Sequence, residues 1–274
     1  MTDFTYHHSI NVCLLATAAA SRVIADKEFL RRVSLAALLH DVGKNEVPAE
    51  IIYKNGNLTP SEDEVLKEHS RRGAEILLST PSIDPLCVSV AFSHHMHEGP
   101  GSYPQTRNEY ECDWISRLIS VVDIYEALTA IRPYKMGLAP KTAFKIMLSM
   151  PGLKDRRKFI KLLYDCVGPY PKGTLVELTT GERGVVIEQN YTFPKLPKVR
   201  ILTDCELNLL TDPFEFDLAD DSKDPKEDSP RIIRKPVVVQ EPTQAPRRDE
   251  QKPEPDHILG NQLTDDASLM AREG

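Results

Sequence analysis

The sequence predicts a mainly α-helical protein that carries a small antiparallel β appendage and a disordered C-terminal tail. From Ser9 to about Gly168, apolar residues recur near the 3.6-residue period of an amphipathic helix. After "GPYPKG" they alternate in short β-branched runs instead, and beyond Asp212 proline and charge dominate. We therefore divide the chain into a helical domain, a β extension and a tail, over residues 1–168, 169–211 and 212–274.

The helical domain is expected to begin with the Ala- and Leu-rich helix "INVCLLATAAASRVIA". The next helix, "EFLRRVSLAALLHDVG", is predicted to end at Gly43, because glycine is common just after a helix. Thr59, Pro60 and the acidic residues of "TPSEDEVLKEHSRRGAEILLS" are typical of a helix N-terminus. Further helices are predicted in "SIDPLCVSVAFSHHM", "DWISRLISVVDIYEALTAI", "PKTAFKIMLSM" and "LKDRRKFIKLLYDCVG".

The β extension is predicted from "TLVEL", "GVVIEQ" and "KVRILT", with "TTGERG" as a hairpin turn. The tail includes "DDSKDPKEDSPR" and "EPTQAPRRDEQKPEPD", which are poor in aromatic residues. Such a segment cannot bury enough apolar surface to offset the entropy lost on ordering. Within the tail, "PRIIRKPVVVQ" and "NQLTDDASLMAREG" are candidate docking segments.

Composition excludes several classes of protein. A net charge of -7 argues against an extended DNA- or RNA-binding groove, because phosphate binding needs clustered Lys and Arg. The 5 cysteines are scattered and form no C-x-x-C motif, which fits reduced thiols. The N-terminus lacks a signal peptide pattern, and no segment reaches about 18 uninterrupted apolar residues. The sequence thus predicts a soluble, cytoplasmic protein without a membrane span.

Side chains suited to metal binding recur on or at the ends of apolar helices. The pair His40-Asp41 follows "SLAALL", and Asp123 follows "RLISVV". Burying such groups is costly unless something compensates them, and two divalent cations would compensate all of them together. The mixture of imidazole and carboxylate suits iron, manganese, zinc or cobalt. The candidate ligands are His8, His40, Asp41, His69, His94, His95 and Asp123.

Taken singly, these residues have ordinary structural explanations. His8 and His69 could be satisfied structural residues, and the pair His94-His95 in "FSHHMHEGPGSYP" could belong to a polar loop surface. Taken together, several histidines and aspartates at helix ends make chance a poor explanation. We interpret His97, an additional histidine on the same loop, as a surface residue rather than a ligand.

The same segments resemble a known family. "YHHSINV", "LAALLHDVGKNEVPAEIIYKNGNLTPSE", "EHSRRGAEIL", "HHMHEGPGSYP" and "RLISVVDIYEALTAIRPYK" follow, in order, the motifs of the HD-GYP domain, a subgroup of HD-domain metal phosphohydrolases. "GPYPKGTLVELTTGERGVVIEQN" resembles the β extension that often follows that domain. The resemblance runs from about Tyr6 to Asn190. It implies an HD-type helical bundle that binds two or three metals and hydrolyses cyclic di-GMP to pGpG or GMP.

The resemblance also implies roles for individual residues. It assigns metal ligation to the candidate ligands above, and catalysis to Asp41 and Lys44. Phe4 stands where some members have the Glu of a third metal site. This favours two divalent ions, iron or manganese, with zinc, cobalt and nickel as alternatives. The substrate is expected to contact Lys44, Arg132, Lys135 and Tyr103.

The loop after the histidine pair departs from the family pattern. Met96, Gly99 and Ser102 stand where the family has Glu, Asp and Gly. Those positions are attributed to loop shape, substrate approach and contacts with diguanylate cyclase (GGDEF) domains, which are the expected protein partners. Family members usually have helices before the first motif. We therefore expect part of the apolar face of residues 10–24 to be exposed, which favours a homodimer.

The favoured function is an active cyclic di-GMP phosphodiesterase of bacterial second-messenger signalling. One alternative is a catalytically weak HD-GYP-like signalling module that works through partners, using the changed loop and the charged tail. Another is a phosphohydrolase that acts on a different nucleotide. Retention of every metal ligand favours the enzyme.

Overall fold

A computed structural model describes residues 3–54, 56–106, 111–130, 137–220 and 231–237. These residues form two compact units: a helical unit within residues 1–138 and 142–163, and a second unit within residues 139–141 and 164–254. The prediction of a mainly α protein with a small C-terminal antiparallel sheet is confirmed. The predicted substrate contacts Arg132 and Lys135 lie outside the described residues, as does most of the predicted tail.

Most helices begin and end close to the predicted positions, but the first begins at Asp3 instead of Ile10 and ends at Ala20 instead of Ala25. They are α1 (Asp3–Ala20), α2 (Lys27–Leu39), α3 (Ala49–Ile52), α4 (Pro60–Lys67), α5 (His69–Leu78), α6 (Pro85–Ser93), α7 (Trp114–Thr129), α8 (Pro140–Ser149) and α9 (Arg157–Val167), with 3-10 turns at Val42–Glu46 and Pro151–Arg156. Thr59 and Glu62 form a capping box at the start of α4. The single helix predicted from Thr59 to Ser79 is divided at Glu68, so that His69 begins α5.

The helical unit is built around α7, which is buried on nearly all sides. α1 packs against α2 and α7, while α6 packs against α2, α5 and α7. Both α1 and α2 bury small side chains, which allow helices to approach closely. Ala16 and Ala19 of α1 and Ala36 and Ala37 of α2 are all completely buried. This packing brings the ends of α2 and α6, the start of α5 and the middle of α1 and α7 together.

Gly43 has a different role from the predicted one. α2 ends at Leu39, and Gly43 lies within the following 3-10 turn. A Cβ atom at Gly43 would lie 1.9 Å from the carbonyl oxygen of His69 and 2.5 Å from the amide nitrogen of Gly73. The glycine is therefore required because the 3-10 turn touches the backbone of α5, not because it ends a helix.

The second unit contains one antiparallel five-stranded sheet with strand order β4-β3-β2-β1-β5. The predicted runs correspond to β1 (Leu175–Leu178), β2 (Arg183–Glu188) and β3 (Lys198–Thr203). The hairpin turn between β1 and β2 contains Gly181 at a φ of 97°, in the left-handed region that favours glycine. The buried residues of the sheet form one apolar core: Tyr170, Val176, Leu178, Val186, Val199, Ile201, Leu218 and Ile233.

The sheet extends beyond the boundary predicted at residue 211. β4 (Leu209–Asp217) continues past it, and β5 (Ile233–Pro236) lies in the segment predicted to be tail. Both are edge strands, and β4 exposes most of its side chains while β5 buries only Ile233. Edge strands carry proline and charge, so their composition is close to that of a disordered segment. Among the helices within the described ranges, none combines the length and the apolar character needed to cross a bilayer.

Candidate metal centre

The predicted metal ligands converge because they lie where the helices of the first unit meet. His8 lies within α1 and Asp123 within α7. The other ligands lie at helix ends: His40 and Asp41 follow α2, His69 begins α5, and His94 and His95 follow α6. His40, His69 and His94 are completely buried.

Asp41 lies between two groups of imidazoles. Its Oδ1 is 3.3 Å from Nε2 of His69 and 3.7 Å from Nε2 of His94. Its Oδ2 is 3.5 Å from Nε2 of His8 and 3.4 Å from Nε2 of His40. Within each group the candidate ligand atoms all lie within 4.8 Å of one another. We call Asp41, His69, His94 and His95 the three-histidine half, and His8, His40 and Asp41 the His8 half.

Asp123 adds a second carboxylate to the His8 half. Its Oδ1 is 3.2 Å from Nε2 of His8 and 4.0 Å from Nε2 of His40. Burial raises the pKa of Asp123, but the hydrogen bond with His8 outweighs burial and the net pKa lies below its ordinary value. Asp123 is therefore ionised, and it gives the His8 half a second carboxylate.

Backbone carbonyl groups orient most of the imidazoles. In His40, His69 and His94, Nδ1 lies 2.7 to 3.0 Å from the carbonyl oxygen of a residue three or four positions earlier. A carbonyl oxygen only accepts hydrogen bonds, so Nδ1 carries the proton in each ring. Nε2 then presents its lone pair to the centre, as in metal-binding histidines.

The residues present fit a cation. Nε2 of His40, Oδ1 of Asp41 and Nε2 of His95 are buried and have no hydrogen-bond partner among the described residues. Nε2 of His69 and Nε2 of His94 face each other at 3.4 Å, and both are acceptors in the tautomers set by their carbonyl partners. Buried acceptors without donors are destabilising, and cations would satisfy all of them.

The protonation states of the site also suit cations. Burial lowers the pKa of His40 to about 4, and it lowers the pKa values of His69 and His95. Burial raises the pKa of Asp41, but Lys44 and His40 outweigh burial and the net pKa lies well below its ordinary value. The three imidazoles are thus neutral and the carboxyl group is ionised, which are the forms that bind metals.

His8 has a different partner from the other imidazoles, and it is one that the sequence reasoning missed. Its Nδ1 lies 2.6 Å from Oε2 of Glu126, and Nδ2 of Asn11 donates to Oε1 of Glu126 at 2.9 Å. Glu126 is buried. Its position three residues after Asp123 puts it on the same face of α7, and that spacing was the available signal.

Lys44 and Tyr103 lie beside the cluster. Nζ of Lys44 is 2.5 Å from Oδ2 of Asp41, and the Lys44 side chain is 16% exposed. The ring of Tyr103 stacks on His95 with centroids 4.5 Å apart. Nζ of Lys67 lies 5.8 Å from the centroid of the Tyr103 ring. Both predicted contact residues that the structure describes, Lys44 and Tyr103, therefore border the candidate metal centre.

Two hydrogen bonds within the altered loop involve residues that differ from the family pattern, Gly99 and Ser102. The amide of His97 donates to Oγ of Ser102 at 3.0 Å, and the amide of Gly99 donates to Nδ1 of His97 at 3.0 Å. A Cβ atom at Gly99 would lie 2.9 Å from Cα of Gly152. His97, interpreted above as a surface residue, is half-buried and belongs to neither ligand half among the described residues.

Comparison with known proteins identifies the family of the chain. Residues 4–157 match the family model described as HD domain, and residues 175–223 match that of a KOW domain associated with the HD domain. A cyclic di-GMP phosphodiesterase of Pseudomonas aeruginosa is 35% identical over 199 residues, which cover 73% of this chain and 48% of that protein.

Two further relatives match a shorter stretch. A cyclic di-GMP phosphodiesterase of Thermotoga maritima is 32% identical over 149 residues, which cover 54% of this chain and 40% of that protein. 3'3'-cGAMP-specific phosphodiesterase 1 of Vibrio cholerae is 30% identical over 146 residues, which cover 53% of this chain and 34% of that protein. The chain spans half or less of the length of these relatives. Because the HD domain model matches more than half of the sequence, the chain belongs to the HD domain family, and its resemblance to the HD-GYP group is confirmed.

Proposed function

We propose that this chain is a metal-dependent phosphodiesterase that hydrolyses cyclic di-GMP to pGpG, GMP or both. The observation that carries the proposal is the position of Asp41, whose two oxygen atoms face two separate groups of imidazoles at 3.3 to 3.7 Å. A carboxylate shared in this way suits a two-metal centre for displacement at phosphorus. Two of the relatives reported above are named cyclic di-GMP phosphodiesterases, which supports the substrate.

We propose one divalent ion in each half, iron or manganese, with zinc, cobalt and nickel as alternatives. The three-histidine half offers imidazoles and Oδ1 of Asp41, while the His8 half offers Oδ2 of Asp41, two imidazoles and Asp123. Such a mixture of nitrogen and oxygen ligands suits first-row transition metals. When bound, these ions supply Lewis acidity toward phosphoryl oxygens and lower the pKa of water.

The side chains beside the cluster would bind the substrate. Asp41 and Lys44 are proposed as the catalytic residues, because Asp41 is shared by the two halves and Lys44 supplies a positive charge next to it. The Lys44 side chain is partly exposed, and its ammonium group has three donors, so it could donate to a phosphate oxygen as well as to Asp41. Tyr103 offers an aromatic surface beside His95. Arg132 and Lys135 keep their proposed role at the substrate phosphates.

Other parts of the functional description stay predictions from the sequence. They are contacts with diguanylate cyclase (GGDEF) proteins, homodimer formation and a cytoplasmic location. The exposed side chains of α1 include Leu14 at 63%, which is consistent with a contact surface on that helix.

The direct test is hydrolysis of cyclic di-GMP by the full chain loaded with Mn²⁺ or, under anaerobic conditions, Fe²⁺. We expect chromatography to detect pGpG or GMP, and EDTA to stop their release. Asp41→Ala should reduce turnover to background, because both halves lose a shared ligand. Asp212→Ala removes an exposed carboxylate on β4 and should behave as wild type. Turnover by Asp41→Ala at the wild-type rate would contradict the proposal.

A second candidate substrate is another cyclic dinucleotide. The motivating observations are the 3'3'-cGAMP-specific relative and the altered loop at Met96, Gly99 and Ser102. Comparing kcat/KM for cyclic di-GMP, 3'3'-cGAMP and cyclic di-AMP decides between them. About two metals per chain without turnover of any of the three would favour the metal-binding signalling module instead.

A further inference from the structure

His95 is held differently from the other imidazoles of the three-histidine half. His69 and His94 each have Nδ1 against a backbone carbonyl oxygen, whereas no hydrogen bond reaches the His95 ring from the described residues. The ring packs against other rings instead. It stacks on Tyr103 with centroids 4.5 Å apart and lies edge-on to His69 at 5.1 Å. Without a hydrogen bond to the ring, the direction of its Nε2 depends on the backbone that carries it.

The backbone at His95 and Met96 is held by three hydrogen bonds. The amide of Met96 donates to the carbonyl oxygen of Ser93 at 3.0 Å, and the amide of Tyr103 donates to the carbonyl oxygen of His95 at 3.3 Å. The third comes from a residue 60 positions away: Nη2 of Arg156 donates to the carbonyl oxygen of Met96. The first two bonds lie within one short stretch of chain, so Arg156 is the residue that joins this stretch to another element.

Arg156 is a costly residue to bury. Its side chain is 1% exposed, and its Nε lies 3.7 Å from Oδ2 of Asp155, which is beyond hydrogen-bond range. Among the described residues, Nε and Nη1 have no hydrogen-bond partner. A guanidinium keeps its charge in proteins, and buried charge with unsatisfied donors is destabilising. The one directed bond that offsets this cost reaches the residue that follows a candidate metal ligand.

The element that carries Arg156 is a suitable support. Arg156 is the last residue of the 3-10 turn at Pro151–Arg156, which packs against α7, the helix that carries Asp123. The turn touches the loop a second time, because a Cβ atom at Gly99 would lie 2.9 Å from Cα of Gly152. The loop is thus fixed to the turn at two points, one of which adjoins the candidate metal centre.

We propose that Arg156 is a positioning residue for the three-histidine half, an inference that rests on the proposed metal centre. By holding the carbonyl oxygen of Met96, Arg156 fixes the direction of Nε2 of His95, as the carbonyl groups do directly for His69 and His94. Partners that orient metal ligands typically raise metal affinity about 10- to 100-fold. The ligands of the His8 half lie outside this loop, so Arg156 acts on one half of the centre.

The test compares two variants that differ only at Arg156. Asp155→Asn/Arg156→Met removes the guanidinium and the neighbouring carboxylate together, so that no buried charge is left without its counter-charge. Asp155→Asn alone keeps Arg156 and is the matched control. The probe is Mn²⁺, and the metal content of the full chain is measured by mass spectrometry after dialysis against graded chelator concentrations. We expect wild type and Asp155→Asn to retain both metals alike, and the double variant to bind one of them at least 10-fold more weakly.

A second comparison identifies the half that is affected. His69→Ala impairs the three-histidine half, so adding the two substitutions to it should leave the remaining metal bound as tightly as before. Weaker binding of that metal, or equal loss of both metals from the double variant, would show that Arg156 supports the fold as a whole and would overturn the proposal. Wild-type affinity of the double variant for both metals would also overturn it, as would the same loss in Asp155→Asn.

Failure of the proposed function gives a different result. Wild type that binds two metals without hydrolysing cyclic di-GMP would overturn the proposed substrate. The metal contents of the variants would still decide the role of Arg156, because they do not depend on turnover.

Discussion

Nδ1 of His8 lies 2.6 Å from Oε2 of Glu126, which gives this imidazole a carboxylate partner where His40, His69 and His94 have backbone carbonyl groups. A carboxylate raises the basicity of an imidazole more than a neutral carbonyl does, because it stabilises positive charge on the ring. The pKa of His8 accordingly lies well above its ordinary value: burial lowers it, but hydrogen bonds with Asp123, Asp41 and Glu126 outweigh burial. We therefore expect Glu126 to strengthen His8 as a metal ligand.

Glu126→Gln should weaken metal binding in the His8 half without unfolding the protein. The amide has nearly the same shape as the carboxylate but no negative charge, so Nδ1 of His8 loses its anionic acceptor. Loss of such a partner typically lowers metal affinity about 10- to 100-fold. The measurement is metal content by mass spectrometry after dialysis against graded chelator concentrations.

The matched control for this variant is Glu75→Gln. Glu75 is exposed on α5 and pairs with Arg71 on the same helix, so its neutralisation should leave the metal content unchanged. A thermal unfolding curve recorded for both variants separates loss of metal affinity from loss of fold. Equal metal retention by Glu126→Gln and Glu75→Gln would remove the proposed role of Glu126.

Lys44→Ala should separate metal binding from catalysis. Its ammonium group lies 2.5 Å from Oδ2 of Asp41 and is not itself a ligand, so the metal content should be retained. Removal of one positive group beside a reacting phosphate typically costs about 10²- to 10³-fold in kcat. The measurement is kcat for cyclic di-GMP at saturating metal. Lys27→Ala, an exposed lysine at the start of α2, serves as the control, and equal kcat values for both variants would contradict the role.

Gly43→Ala should destabilise the protein and displace the ligands around it. The new Cβ would lie 1.9 Å from the carbonyl oxygen of His69, so the 3-10 turn and α5 would have to separate. Overpacking against backbone costs roughly 3 kcal/mol or more here, at the upper end of its usual range. Chemical denaturation measures this loss. Gly73→Ala serves as a milder comparison. Its new Cβ would lie 3.1 Å from the nearest atom, the amide nitrogen of Gly43, so the loss of unfolding free energy should be smaller. An unchanged midpoint in Gly43→Ala would refute the close contact.

The candidate ligands could be selected from the sequence because each lies within or next to an apolar helix, where burial of a polar side chain is costly unless it is compensated. The spacing of Glu126 from Asp123 places both on the same face of α7, but it does not identify the partner of Glu126. The contact with His8 depends on the packing of α1 against α7 and joins residues 118 positions apart. The strand β5 was not predicted either, because it too depends on a contact between distant parts of the chain. Its pairing with β1 buries only Ile233, so the strand has almost no apolar alternation of its own. Both the contact of Glu126 with His8 and the pairing of β5 with β1 join residues far apart in the sequence, and the local sequence pattern does not predict such contacts.

Gly99→Asp would restore the family residue on the altered loop, yet we expect it to reduce activity. The new Cβ would lie 2.9 Å from Cα and 3.1 Å from the amide nitrogen of Gly152, so the loop would have to move away from the 3-10 turn. That movement would strain the hydrogen bonds between His97, Gly99 and Ser102, and through the chain it would shift His95. Overpacking of this kind costs about 1–3 kcal/mol.

The measurements are the melting temperature and kcat/KM for cyclic di-GMP, both of which should decrease in Gly99→Asp. Pro100→Asp is the matched control, because it adds the same charge to the same loop at an exposed position. If charge near the substrate were the cause, both variants would lose activity equally. If the close contact with Gly152 is the cause, only Gly99→Asp should lose it. An increase in kcat/KM in Gly99→Asp would instead show that the loop adapts to the family residue and that its present sequence limits turnover.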